Sequence, residues 1–207
     1  MAQLSDMTLT PFDLPVADAA PAVRADAERN REKVLCAAAR LFAEHGVENV
    51  SMDAIAAAAG VGKGTLFRRF GDRAGLAAAL LQEQTSALQE QLIRGAAPLG
   101  PGAPPRERLK AMARAQFALL DAHSDLIAAA EVARPGERTQ SAPLQFLRTH
   151  MAILIQEADP DCDHELFSDL LLGPMTAETF LLWRRGRALP IERMAAAFDS
   201  AVDRLLP

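Results

Sequence analysis

Residues 46–73 read GVENVSMDAIAAAAGVGKGTLFRRFGDR and decide the fold of this 207-residue chain. Ser51 predicts the N-cap of a short helix, because its hydroxyl can accept a hydrogen bond from an amide of the first turn. Met52 and Ile55 begin an apolar stripe at helical spacing. Gly60 then suits the left-handed conformation that commonly ends a helix. The first half of the stretch therefore predicts a short amphipathic helix closed by a tight turn.

The second half of the stretch predicts another short helix over residues 62–70. Leu66 and Phe70 are four positions apart and face inward. Gly62 and Gly64 weaken a helix, and close approach of the backbone to DNA is a functional reason to tolerate them. A frayed, solvated basic turn is the other interpretation. Two short helices hinged at a glycine favour a helix-turn-helix, whose second helix lies in the major groove. Four side chains remain outside: Lys63, Thr65, Arg68 and Arg69.

With its flanks, this stretch closely resembles the tetracycline-repressor (TetR) family of bacterial transcription regulators. The resemblance covers about residues 29–82, including a first helix from Arg31 to His45 and the start of a fourth helix at residues 72–76. It implies an all-α homodimer with an N-terminal three-helix DNA-binding head and a C-terminal helical ligand-binding and dimerisation body. The family's usual DNA contacts fall here on Ser51, Lys63, Gly64, Thr65, Phe67, Arg69 and Arg73.

Two positions depart from the family pattern. Phe67 stands where the family usually has a tyrosine, so the hydroxyl contact to a phosphate is lost, although the ring can still meet a thymine methyl. Arg69 replaces a frequent histidine with a permanent charge that can contact a phosphate. Arg68 joins the candidate set because helical spacing leaves its charge outside. We interpret the changes as a redistribution of DNA contacts.

Composition predicts the division of the chain. Tyr is absent and runs of β-branched residues are missing, which argues against a sheet. A chain of 207 residues can hold one small domain and one larger helical domain. We expect a disordered N-terminal arm at residues 1–23, a helix-turn-helix DNA-binding domain at 24–72 and a helical ligand-binding and dimerisation domain at 73–207.

The charge is unevenly distributed. The net charge of −5 argues against a general binder of polyanions. Residues 24–73 nevertheless hold 9 of the 22 Lys and Arg and only 7 of the 27 Asp and Glu. A focused basic patch on an acidic protein favours site-specific DNA binding, because the acidic remainder discourages indiscriminate coating of DNA.

The body reads as a series of amphipathic helices. The first, from about Arg73 to Arg94, is the strut between body and head, and residues 95–105 break all helices with Pro and Gly. Pro174 is expected to kink or split the helix that contains it. The remaining helices are predicted at residues 105–122, 124–132, 144–158, 163–185 and 191–206.

The resemblance implies a ligand pocket inside the body. Its candidate lining residues are apolar with few polar groups, and the Met side chains make it adaptable. Each of them is also an ordinary core residue by its pattern. His150 is a hydrogen-bonded core histidine or a ligand anchor. The candidates are Met112, Gln116, Phe117, Glu131, Phe146, His150, Met151, Leu154, Met175, Phe180 and Trp183.

The last helix carries a broad apolar stripe that predicts a dimer interface. A small body cannot easily bury the whole stripe within one chain, so pairing with a two-fold mate would form a four-helix interface. Complete burial within one subunit is the alternative. The interface candidates are Met194, Phe198, Val202 and Leu205.

Other functional classes find little support. No phosphate loop, nucleophile elbow or metalloprotease helix occurs, so we predict no enzyme, cofactor or metal site. One cluster has metal-binding side-chain types, but its spacing matches no standard zinc or calcium loop, and a turn that caps the following helix explains it better. Its members are Asp159, Asp161, Cys162, Asp163 and His164.

The cysteines and the N-terminal residues indicate the cellular compartment. Cys36 lies among apolar residues of the first helix and is expected to be buried as a small hydrophobe. Cys162 is expected in a loop, without a disulfide to Cys36. Residues 1–23 lack the pattern of a signal peptide, and no apolar run is long enough to span a membrane. We therefore expect a cytoplasmic protein.

The sequence as a whole favours a dimeric TetR-like regulator, most simply a repressor. We expect it to bind double-stranded operator DNA with inverted-repeat symmetry and to leave the DNA when a small, largely apolar effector enters the body. One alternative is a helical ligand-binding protein or enzyme with a vestigial helix-turn-helix. Another is an adaptor that binds proteins through residues 191–206.

Overall fold

The computed structural model describes residues 21–133 and 142–206, and the side chains of residues 25–129 and 142–206. Within these ranges every regular element is helical, so the predicted all-α fold is confirmed. None of the helices in the described ranges is both long and apolar enough to cross a membrane. The helices are α1 (Pro21–His45), α2 (Met52–Ala59), α3 (Lys63–Phe70), α4 (Arg73–Arg94), α5 (Pro105–Ala122), α6 (Ser124–Ala133), α7 (Ala142–Ala158), α8 (His164–Leu172), α9 (Ala177–Leu181) and α10 (Ile191–Leu205).

The first helix is longer than the sequence predicted. It begins at Pro21 and not at Arg31, so residues 21–23 are helical and do not belong to the expected arm. Pro21 suits the first helical position because its fixed φ is already that of a helix. Residues 25–30 are all exposed, so this part of α1 shows no apolar period by which a sequence pattern would reveal it. The rest of the arm, residues 1–20, lies outside the described residues.

The helix-turn-helix forms as its sequence predicts. The Ser51 side chain caps α2 by accepting a hydrogen bond from the amide of Ala54 at 3.1 Å. Gly60 ends α2 with φ 66° and ψ 34°, the left-handed conformation that a Cβ would strain. Leu66 anchors α3 in the core at 1% exposure, four residues before the half-buried Phe70. One buried leucine therefore fixes which side of α3 faces outward.

Two apolar clusters divide the molecule. The head cluster joins the buried residues of α1, α2, α3 and the 3-10 turn Val47–Asn49 with Leu76 and Leu80 of α4. The body cluster joins Leu81 and the later leucines of α4 with buried residues of α5 to α10. The packing boundary thus falls inside α4, and the predicted division between residues 72 and 73 stays a prediction.

Aromatic side chains organise the body cluster. Phe117 of α5 stacks on Phe180 of α9 with ring centroids 6.5 Å apart. It also meets the ring of Phe198 of α10 edge-on at 6.4 Å. All three are buried, and such pairs contribute about 0.5–1.5 kcal/mol beyond their burial. The three rings hold α5, α9 and α10 together.

The helix predicted at residues 163–185 is divided. It breaks at Gly173 and Pro174, as expected, into α8 and a 3-10 turn, Gly173–Met175. A further change was not predicted: Thr176 caps the five-residue α9, which continues as a π-helical turn from Leu182 to Gly186. Proline removes an amide donor from the helix, and the Thr176 hydroxyl then restarts it.

The predicted dimer stripe of α10 is mostly buried inside the chain. Met194, Phe198 and Val202 are 3%, 4% and 0% exposed in a single subunit, where α10 packs along α5. Their assignment to a dimer interface was therefore wrong. The body offers α10 a complete apolar groove, which helix spacing alone cannot reveal. Only Leu205 of the four candidates remains exposed, at 39%.

Substitutions on α10 should separate internal packing from surface contact. Phe198→Ala is expected to lower the free energy of unfolding by about 3–5 kcal/mol, because it removes a buried ring from the body cluster. Leu205→Ala should cost well under half of that, because its side chain already meets solvent. Urea denaturation monitored by circular dichroism measures the free energy of unfolding of both variants. Equal losses in the two variants would contradict the burial pattern of α10.

Candidate functional site

The outer face of α3 carries the predicted DNA-contacting side chains. Lys63, Thr65, Phe67 and Arg68 are all exposed, and Phe67 leaves 47% of its surface open despite being a large apolar residue. Leu66 lies on the opposite side in the head cluster. Base edges in DNA are read by polar and apolar side chains of this kind projecting from one helix. The structure therefore brings these predicted contacts together on one surface.

Lys63 does not stand alone at the start of α3. Its ammonium group pairs with the carboxylate of Asp53 in the first turn of α2. Both side chains are more than half exposed, so this pair adds little stability in water. Its consequence is positional, because Asp53 holds the Lys63 ammonium near the α2–α3 junction. The sequence pattern gave no signal of this pairing, because it joins residues ten positions apart across the turn.

A cleft lies between the start of α2, the middle of α3 and the start of α4. It has a volume of about 510 Å³ and is lined in part by Ser51, Phe67 and Arg73. The Arg73 guanidinium lies 3.3 Å from the Val47 carbonyl oxygen and also donates to the Glu48 carbonyl. Arg73 thus fixes the turn that precedes α2 while it borders the cleft. Three predicted DNA contacts from three elements meet there.

Arg69 is bound to α1. Its Nη1 donates to the Ala27 carbonyl oxygen at 2.8 Å, and its Nη2 lies 3.7 Å from a carboxylate oxygen of Glu28. The early part of α1, which the sequence did not predict, therefore braces the recognition helix. A phosphate that contacts Arg69 must share the guanidinium with Glu28. Charge pattern alone gave no signal of this contact, because it joins residues 42 positions apart.

Gly64 has no internal reason to be glycine. A Cβ built at this position would meet no atom within 4 Å, and its φ is not in the left-handed region. Glycine costs a helix up to about 1 kcal/mol relative to alanine. Gly64 therefore does not stabilise the chain. Its effect is to leave open space above the α3 backbone.

The predicted pocket residues lie together in the body cluster. All of the buried ones except Gln116 belong to this cluster, which contains the stacked rings of Phe117 and Phe180. Phe146, His150 and Trp183 are half-buried at its margin. The side chain of Glu131 lies outside the described residues. The buried candidates are Met112, Gln116, Phe117, Met151, Leu154, Met175 and Phe180.

Gln116 and His150 place polar groups among the described pocket candidates. Gln116 is 6% exposed, and its Oε1 has no hydrogen-bond partner among the described residues. His150 stacks on Phe146 with ring centroids 5.8 Å apart, and its Nε2 lies 3.3 Å from Nη2 of Arg108. Burial, and then the charge of Arg108, lower the pKa of His150 below its usual value. Neutral imidazole can accept a hydrogen bond from the guanidinium, as expected for a core histidine.

The remaining candidate residues take structural roles. Asp163 caps α8 by accepting a hydrogen bond from the Leu166 amide at 3.1 Å, which confirms the capping interpretation of this acidic turn. Cys162 is half-buried, and burial raises the pKa of its thiol, assisted by Asp159 and Asp163. Cys36 is exposed, so the prediction of a buried residue was wrong. It follows Leu35 by 100° around α1 and points away from the core.

Residues 34–80 match the model of the family described as bacterial regulatory proteins, tetR family. A protein of Staphylococcus aureus (strain USA300) named as an HTH-type transcriptional regulator is 45% identical over 60 residues. That match covers 29% of this chain and 32% of the relative. The chain therefore spans about a third of the length of the curated relatives that it matches.

Solved structures share the arrangement of head and body. A TetR-like transcriptional regulator from Rhodococcus sp. RHA1 is 25% identical and has a TM-score of 0.54, over 86% of this chain and 95% of that chain. The SmeT–triclosan complex has a TM-score of 0.59 at 17% identity, over 84% of this chain and 89% of that chain. The second likeness concerns the fold alone. Residues 34–80 of the head therefore match the TetR family of bacterial regulatory proteins, and head and body together share the fold of a TetR-like transcriptional regulator.

Proposed function

We propose that the protein is a repressor that binds an inverted-repeat operator as a homodimer and leaves it when a small, largely apolar ligand enters the body. The observation that carries the DNA-binding half is the outer face of α3. Lys63, Thr65, Phe67 and Arg68 project from it while Leu66 holds the helix in the head cluster. Transcription takes place in the cytoplasm of bacteria, so the proposal also places the protein there.

The side chains divide into two kinds of DNA contact. Lys63 and Thr65 lie in the first turn of α3, from which recognition helices reach base edges. Phe67 offers apolar contact to a thymine methyl. Ser51, Arg69 and Arg73 border the head around α3 and suit phosphate contacts, which position the protein without reading sequence.

The ligand half of the proposal rests on the body cluster. It is apolar and rich in Met and Phe, with Gln116 Oε1 as an inner acceptor that lacks a partner among the described residues. A ligand that donates a hydrogen bond there would remove the cost of a buried, unpaired acceptor. That SmeT has the same fold and was solved with triclosan supports a small-molecule effector.

Two elements can transmit ligand binding to the head. The strut α4 contributes leucines to both clusters. In addition, Leu126 and Ala129 of α6 pack against the head cluster, near the turn Val47–Asn49 that Arg73 holds. A ligand that shifts α6 or α4 would change the spacing of the two recognition helices in a dimer. It acts only through its different affinities for the two states.

The dimer surface is reassigned to α8 and its neighbours. Leu166 and Leu170 lie four residues apart on one side of α8 and are 56% and 62% exposed. Ile153 of α7 and Leu182 of the π-helical turn are also large exposed apolar residues. Burial of these side chains against a two-fold mate would remove them from water. The interface therefore stays within the predicted range 163–206, extended to α7, but moves away from the α10 stripe.

Two substitutions on α3 test the placement of the DNA. Lys63→Ala should weaken specific binding by about 1–3 kcal/mol if the ammonium reads a base edge. Arg69→Ala should weaken specific and non-specific binding together and make the salt slope shallower by roughly one unit. Fluorescence anisotropy with an operator selected from random DNA, at several salt concentrations, measures both. Unchanged operator affinity in both variants would contradict the proposed orientation of α3.

Gly64→Ala tests whether DNA occupies the space above the α3 backbone. The added methyl meets nothing in the chain, so the free energy of unfolding should stay level or rise by up to about 1 kcal/mol. Operator affinity should fall at the same time, because the methyl obstructs close approach of DNA. Urea denaturation gives the free energy of unfolding, and fluorescence anisotropy on the same preparation gives the operator affinity. A stabilised variant that binds the operator as well as the parent would remove the functional reason for this glycine.

The dimer surface can be tested with charged substitutions. Leu166→Glu with Leu170→Glu should yield a monomer that is still helical, because these exposed side chains contribute little to the fold of one subunit. Light scattering and circular dichroism report mass and helicity. Leu205→Glu is the matched control and should remain dimeric. If the control dissociates while the double variant does not, the interface lies at the end of α10, and a monomeric parent protein would end the dimer proposal.

A further inference from the structure

Arg108 is a half-buried cation with poorly satisfied donors. It lies in the first turn of α5, where the end of α4 and the middle of α7 come together. Its Nη2 is 3.3 Å from the Leu92 carbonyl oxygen and 3.3 Å from Nε2 of His150. Charge-assisted bonds are normally about 2.7–2.9 Å long, so both contacts are weak. Its Nε is buried without a hydrogen-bond partner among the described residues.

Three neighbouring cations of α4 and α5 have counter-charges. Arg94 at the end of α4 pairs with Glu90, while Lys110 and Arg114 of α5 pair with aspartates of α10. Arg108 has no carboxylate oxygen within 4.0 Å among the described residues. A half-buried guanidinium without a counter-charge is costly, and an anion that reaches it is bound more strongly than in water.

The surroundings of Arg108 favour an anion with an apolar part. Phe146 stacks beside His150, and the depressed pKa of His150 keeps the imidazole neutral near pH 7. The N-terminal end of α5 adds a partial positive charge. Two carboxylates lie nearby: Glu157 acts on the pKa of His150 in the opposite sense, and Glu107 is exposed on the same turn of α5. Neither forms an ion pair with Arg108 in the described part of the chain.

We propose that Arg108 and His150 hold the carboxylate of an amphiphilic monocarboxylic acid, whose apolar part packs on Phe146 and the neighbouring body cluster. A carboxylate lets the guanidinium exchange two long contacts for charge-assisted bonds. The site supplies one formal positive charge, so a monoanion matches it better than a dianion does. The inference rests on the proposed ligand-controlled function and names the chemical class of the effector.

The test compares each acid with its own alcohol. The full chain, without DNA, is titrated calorimetrically with straight-chain and aryl-alkyl monocarboxylates, each paired with the primary alcohol of the same skeleton, and with inorganic phosphate. We expect at least one acid to bind about 10- to 100-fold more tightly than its alcohol, as one or two charge-assisted bonds allow. Phosphate alone should bind much more weakly, because it lacks the apolar part.

Variants then assign the preference to Arg108. Arg108→Gln should reduce the affinity for the acid to that for the alcohol while leaving the alcohol unchanged. Arg108→Lys keeps the positive charge but lacks the planar guanidinium, so it should retain part of the preference for the acid. This variant replaces Arg108→Gln in the test if Arg108→Gln does not fold. Arg106→Gln, two residues away on the same turn, is the matched control and should bind both ligands as the parent does.

Three results would overturn the proposal. They are a panel in which no acid binds more tightly than its alcohol, an unchanged preference in Arg108→Gln, and phosphate that binds as tightly as the acids. The proposed function fails separately. An acid that binds through Arg108 but never releases operator DNA would leave the site in place and refute the effector model. If only the alcohols release DNA, the ligand-controlled function stands and the carboxylate site at Arg108 is refuted as the effector site.

Discussion

The structure depends on one helix that belongs to two apolar clusters. From Leu76 to Leu92, α4 extends for about 24 Å at the usual rise per residue. Its first turns are buried with the head and its later turns with the body. Each buried leucine contributes about 1.5–3 kcal/mol relative to an exposed one. Neither half can therefore shift along α4 without losing buried contacts.

The head is small, and its orientation depends on a few contacts. Leu66 fixes the rotation of α3, Gly60 fixes the turn before it, and Arg69 ties its end to α1. Surface ion pairs such as Lys63–Asp53 contribute little to stability. They influence instead where a flexible cationic side chain lies before DNA arrives. Apolar burial thus positions the helix, and exposed charge prepares the surface for binding.

The body combines a tightly packed centre with incompletely satisfied polar groups. Phe117, Phe180 and Phe198 lock three helices together. Gln116, Arg108 and Asp199 each keep a buried atom without a hydrogen-bond partner among the described residues. Such atoms are uncommon in folded proteins, since each one costs free energy. They mark the places in the body where binding a polar ligand group would be most favourable.

The sequence by itself determined the elements whose signals are local. The caps at Ser51 and Gly60, the limits of α4 and the break at Pro174 follow from the chemistry of residues a few positions apart, and the structure confirms them. The motif at residues 46–73 likewise indicated the family. Helical spacing also identified the side of α3 that faces outward, because Leu66 and Phe70 are four positions apart and share the inward side.

Only the tertiary structure decided what each apolar or charged surface meets. The stripe of α10 has the same pattern whether it packs on α5 or on a second subunit, so Met194, Phe198 and Val202 were misassigned. The contact of Arg69 with the Ala27 carbonyl joins residues 42 positions apart. Arg108 likewise contacts the Leu92 carbonyl, and it has no carboxylate partner in the described part of the chain. A pattern along one helix reports which side is apolar. The partner of that side is fixed by the packing of the whole chain.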